Sequence, residues 1–124
     1  IAGASGLGVF SAAAEANGYA FGVGTNQNTE DPDHVVASSY RSVENMVYGE
    51  IEKVVNGTWE SGLILSGIQE GAVGCTTEGS NVELPADIQA AYEEIKAKLE
   101  SGELVPCRSE EELESWVSQN QYGK

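Results

Sequence analysis

Apolar residues recur along this chain in two rhythms, a helical period and short continuous runs. Residues 6–17 suit a helix of small residues (Ala12, Ala13, Ala14, Ala16), and Asn17-Gly18 supplies its stop. Tyr19-Ala20-Phe21-Gly22-Val23 is an uninterrupted apolar run, the pattern of a strand buried on both faces. Positions 24–33 (GTNQNTEDPD) are turn chemistry throughout, and Val35-Val36-Ala37 predicts a second short strand. From Arg41 to Asn56, the residues Val43, Met46, Val47, Ile51, Val54 and Val55 fall on one helical face, ended by Asn56-Gly57.

Leu63-Ile64-Leu65 predicts a third strand, followed by an irregular connection marked by Gly67, Gly71, Gly74 and Gly79. Another helix starts at Leu84-Pro85-Ala86-Asp87, turns Ile88, Tyr92, Ile95 and Leu99 inward, and ends at Ser101-Gly102. A last short helix has a capping box of Ser109 with Glu112, and an apolar side made by Leu113, Trp116 and Val117. The order predicts an α/β fold, a mainly parallel sheet in three layers with helices on its faces. Ligands of such sheets bind at the C-terminal strand ends, which singles out the loops 2–6 and 24–28.

Charge narrows the function. The chain has 124 residues, with 6 Lys+Arg against 20 Asp+Glu, a formal charge of −14. Phosphate backbones and anionic lipid surfaces repel such a chain, so nucleic-acid and polybasic membrane partners are set aside. One histidine and two cysteines give no His/Cys zinc set, and no metal or cofactor is expected. No apolar run is long enough to span a membrane, and none is read as a signal peptide. The opening Ile1-Ala2-Gly3 reads as a strand end running into a glycine turn, so the chain is expected to continue a longer one upstream.

Gly3-Ala4-Ser5-Gly6-Leu7-Gly8 opens a helix after a predicted strand, and amides there can donate to ligand oxygens. A tight turn needing small residues explains the same pattern. A dinucleotide fingerprint requires G-x-G-x-x-G and an acidic residue about 20 positions on. Neither this loop nor Gly22-Val23-Gly24 supplies both, which leaves a dinucleotide-dependent enzyme a weak reading. His34 lies beside Asp31 and Asp33 without a serine in a nucleophile elbow. Cys75 and Cys107 both fall in predicted loops and can either pair, in an oxidising setting, or stand as two separate thiols. Arg41, one of two arginines, follows the second strand at a helix start, where a cation opposes the helix dipole. An anionic or hydroxyl-rich ligand explains that position, and so does pairing with a surface carboxylate.

The ordered runs AGASGLGVFSAAAE, YAFGVGTNQ, VVASSYRSVENMVYGEIEKVVNGTW, LILSGIQEGAVG and LPADIQAAYEEIKAKLESGELVP resemble the C-terminal part of the basic membrane protein family. These are nucleoside-binding lipoproteins, similar to the purine nucleoside receptor type, with a type I periplasmic-binding-protein fold. The resemblance implies that residues 1–107 are a portion of the C-terminal lobe, truncated at its N-terminus, and 108–124 a helical extension. It implies a non-enzymatic, extracytoplasmic receptor that closes two lobes on a nucleoside and delivers it to an ABC permease. Membrane attachment would come through a lipid on the absent N-terminal part.

The ligand residues it implies are Gly3, Ala4, Ser5 and Gly6 in the glycine loop, Gly24, Asn26 and Arg41. Arg41 falls where the family commonly has a lysine that reaches the sugar hydroxyls. The family's GVD motif reads Gly22-Val23-Gly24 here, so the carboxylate that usually bonds the ribose is absent; either Asn26 or the displaced loop substitutes, or the ligand is not a ribonucleoside. A ligand-sensing domain on the same fold is the alternative reading, and an upstream helix-turn-helix or membrane helix would distinguish it.

Overall fold

The structure is a computed structural model and describes residues 5–120. Helix α1 spans Leu7–Glu15, β1 Ala20–Gly24, β2 Val35–Arg41, α2 Val43–Val55, β3 Val73–Thr76, α3 Ala86–Ser101 and α4 Glu110–Gln119. The strands form one sheet in the order β1-β2-β3, with β1 parallel to β2 and β3 antiparallel to β2. The α/β class with a parallel pair agrees with the sequence pattern.

Local chemistry sets the helix ends. Asn17, at φ +50°, ends α1 in a left-handed turn, with Gly18 N donating to Ala13 O and Asn17 N to Ala14 O. Gly57 ends α2 the same way at φ +71°, and Gly102 follows α3 at φ +76°. Ser42 caps α2, its hydroxyl accepting from Asn45 N at 3.2 Å.

Three expectations fail. Leu63-Ile64-Leu65 forms no strand, and Leu63 is 90% exposed. The third strand is instead Val73–Thr76, inside the glycine-marked connection, where Ser39 pairs with Cys75 and Arg41 with Val73. That pairing draws β2 out to Arg41, well past the apolar run at 35–37. Gly74 admits it: a Cβ there would come within 2.5 Å of the Tyr40 hydroxyl oxygen, so the tyrosine ring needs the bare backbone of β3.

The apolar stripes of α2 and α3 have the predicted period but are incompletely covered: most of the α2 stripe and Ile88 are exposed, whereas Tyr92, Ile95 and Leu99 of α3 are half-buried. Neither helix has a buried residue, and Val55 is 78% exposed. Three short strands offer too little apolar face for three amphipathic helices. The core is small, with Phe10 of α1 against Ala20 and Val35, and Ala13 alongside. The capping box of α4 is also incomplete, since Ser109 makes no cap bond. Glu112 reaches one residue further back and accepts from Arg108 N at 3.0 Å.

Candidate ligand-binding site

The parallel strands end side by side, Gly24 opposite Tyr40 and next to Arg41. Gly24 has φ +96°, a conformation that L side chains rarely adopt, and it turns the chain into the loop that follows β1. Arg41 is the last residue of β2 rather than the first of a helix, with Ser42 between it and α2.

The loop is pinned to the sheet by a closed polar network. Ser38 Oγ donates to Asn28 Oδ1 at 2.6 Å and accepts from Gln27 N at 3.0 Å. Asn28 Nδ2 donates to Thr76 O at 3.0 Å and Glu78 O at 2.9 Å. Gln27 Oε1 accepts from Val23 N at 2.9 Å. Gly22 makes room for this arrangement, since a Cβ there would stand 2.2 Å from Ser38 Oγ.

Val23, Ser39 and Cys75 are in register across the three strands and share a face. Along that face runs an open cleft of about 1200 Å³, bounded by the strand ends, by α3 and by the segment after it. Gly24, Tyr40 and Arg41 line its strand-end side; Leu65, Ile95 and Leu99 give it apolar walls. Tyr92 of α3 crosses to β3, its hydroxyl donating to Cys75 O at 3.2 Å. Partial burial is the main cause that raises the Tyr92 pKa above the usual tyrosine value, and the nearby Cys75 adds to it. The phenol is therefore a proton donor at neutral pH. The Arg41 side chain has no ion pair or hydrogen bond among the described residues, which leaves its donors open to the cleft.

The model of the Bmp family, described as "ABC transporter substrate-binding protein PnrA-like", matches residues 1–108. The chain belongs to the Bmp family. Its members are solute-binding proteins, not enzymes. No curated protein matches the chain. A solved structure does: that of ABC transporter system solute-binding proteins from Aeropyrum pernix K1 has 22% sequence identity and a TM-score of 0.62. The similarity covers 91% of this chain and 41% of that one, so this Bmp chain spans less than half the length of its structural neighbour. At this identity the likeness concerns the fold alone.

Of the ligand residues expected for a Bmp protein, Gly24 and Arg41 are brought together at the cleft. Ser5 and Gly6 precede α1 and do not line it; Gly3 and Ala4 lie outside the described residues. Asn26 does not line it either. Its Oδ1 accepts from Asn28 N at 3.0 Å and its Nδ2 donates to Glu78 O at 3.1 Å, so both ends of the amide serve the loop. Cys75 and Cys107 are free thiols, the first on the cleft wall. His34 Nδ1 lies 3.0 Å from Asp31 within its own turn, outside the cleft. Among the described residues, no group of three His, Cys, Asp or Glu side chains can hold a metal, and no helix is long and apolar enough to cross a membrane.

Sequence reasoning missed Tyr40, Lys96 and Arg108 as cleft residues and took Tyr92 only as an apolar anchor. Tyr40 had a usable signal in its position beside Arg41. Lys96 and Arg108 come to line the same cleft as the strand ends only through the tertiary fold.

Proposed function

We propose that this Bmp chain is the C-terminal lobe portion of an extracytoplasmic solute-binding protein that gives a nucleoside, purine in type, to an ABC importer. Residues 1–107 make the lobe portion and 108–124 its helical extension. The observation that carries the reading is the meeting of Gly24 and Arg41 on one cleft at the parallel strand ends, within a Bmp match over residues 1–108. In this reading the second lobe closes over the cleft and excludes water, so each hydrogen bond to the solute gains strength. Arg41 donates to oxygens of the sugar, and the apolar walls take the base. A lipid on a preceding segment holds the receptor at the membrane.

Calorimetric titration of the intact two-lobed protein with guanosine, inosine, adenosine and uridine tests this. Micromolar binding of a purine nucleoside is the expected result. Absence of heat across the panel and across the corresponding nucleotides would refute it.

A further inference from the structure

Helix α4, Glu110–Gln119, lies beyond the stretch that the Bmp model matches. No residue of it lines the cleft, yet the segment that joins it to α3 does, with Val105, Pro106 and Arg108 forming that part of the wall.

The hydrogen bonds of this wall show what holds it. Up to Leu104 the segment is tied to α3: Leu104 N donates to Lys98 O at 3.0 Å, and the leucine is buried. Beyond Leu104 that tie ends, and Pro106 has no N–H to give. Among the described residues, the hydrogen bonds of 105–108 both run to α4. Trp116 Nε1 donates to Val105 O at 2.6 Å, and Arg108 N donates to Glu112 Oε2 at 3.0 Å.

Trp116 and Glu112 stand four positions apart, so they share one face of the helix, and that face meets the wall. Leu113 and Val117, the other residues of the predicted apolar side, are exposed, whereas Trp116 is half-buried. An isolated helix of 10 residues is marginal in water. The helix and the wall segment therefore support each other.

We propose that α4 is a clasp that fixes the cleft wall at 105–108 before solute arrives, with Trp116 and Glu112 as positioning residues for binding. The effect on a solute rests on the proposed function; the two bonds to the wall support the clasp by themselves. A wall left free would have to be ordered during capture, and that cost would lower the affinity.

The experiment is hydrogen exchange of the intact protein, read on the peptide that covers residues 103–108, beside calorimetric titration with guanosine. Trp116→Phe keeps a ring and removes the N–H, and Trp116 itself bonds no amide of that peptide. Trp116→Phe and Glu112→Ala should each speed exchange there about tenfold and weaken guanosine about threefold. Exchange in β1 and β2 should stay as in the parent, which shows that the fold is intact. Glu112→Gln, which keeps an acceptor oxygen, should restore both readouts toward the parent. Unchanged exchange in Trp116→Phe and Glu112→Ala would overturn the clasp. Faster exchange with unchanged guanosine affinity would overturn the positioning role. A parent that takes no guanosine fails the proposed function, and exchange alone then decides the clasp.

Discussion

Ser38 donates its hydroxyl proton to Asn28 at 2.6 Å, and both residues are completely buried. A serine in the central strand and an asparagine in the following loop of its neighbour thus share one hydrogen-bonded unit, with Gln27 N and the carbonyls of Thr76 and Glu78 as its outer members. Every polar atom of the pair's side chains has a partner, so the loop after β1 is built as part of the sheet.

Replacing Ser38 by alanine leaves Asn28 Oδ1 and Gln27 N without their shared partner inside the fold. Ser38→Ala should destabilise the chain by about 1–3 kcal/mol, read from urea unfolding midpoints. A change within about 0.5 kcal/mol would mean that the network is replaced by water.

The two glycines of β1 should respond differently to the same substitution. Gly22→Ala drives a methyl group into Ser38 and Gln27, an overpacking cost of about 1–3 kcal/mol together with loss of the loop bonds. Gly24→Ala meets no atom within 4 Å, and its cost of about 1 kcal/mol comes from φ +96° alone. Thermal melts of the two variants check the order, Gly22→Ala being the less stable.

Arg41→Ala in the intact protein should weaken binding of the solute about tenfold, or about 1.4 kcal/mol, without lowering the melting temperature. Calorimetry gives the affinity and a melt gives the control. Unchanged affinity would remove Arg41 from the site.

Tyr92 has a pH signature. Its pKa is raised in the folded chain by burial first and by Cys75 next, so the unfolded chain loses the phenolic proton earlier as pH rises. The stability tied to it is fully present below pH 10 and falls as pH climbs from there through the folded value. Tyr92→Phe should flatten that alkaline decline, at the cost of the bond to Cys75 O. Unfolding titrations between neutral pH and the alkaline limb measure both effects.

The helices were legible because their signals are local. Asn17-Gly18 and Asn56-Gly57 each place a residue of positive φ two positions past the last helical residue, and the apolar spacing of α2 is right residue by residue. Strand pairing was less legible. Leu63-Ile64-Leu65 has the composition of a strand but finds no neighbour among the described residues, whereas Val73–Thr76 has two residues of strand type and finds β2. Hydrophobicity reports what a segment can bury; it does not report which segment lies beside it. The site shows the same division. Gly24 and Arg41, assigned to the ligand through the family resemblance, lie at the strand ends and line the cleft, while Asn26, assigned in the same way, bonds Glu78, a partner 52 positions away. No pattern near Asn26 could have announced that partner.

The loop after β1 also has an entropic consequence. Fixing one backbone residue costs about 1–2 kcal/mol at room temperature, a cost that a binding event bears whenever it must order a floppy rim. Here the segment from Gly24 to the turn at Glu30 is already fixed by Gln27, Asn28 and Ser38 before any solute arrives. The strand-end side of the cleft therefore takes little from the free energy of binding, and under the proposed function the ordering cost of capture falls on the solute and on the closure of a second lobe.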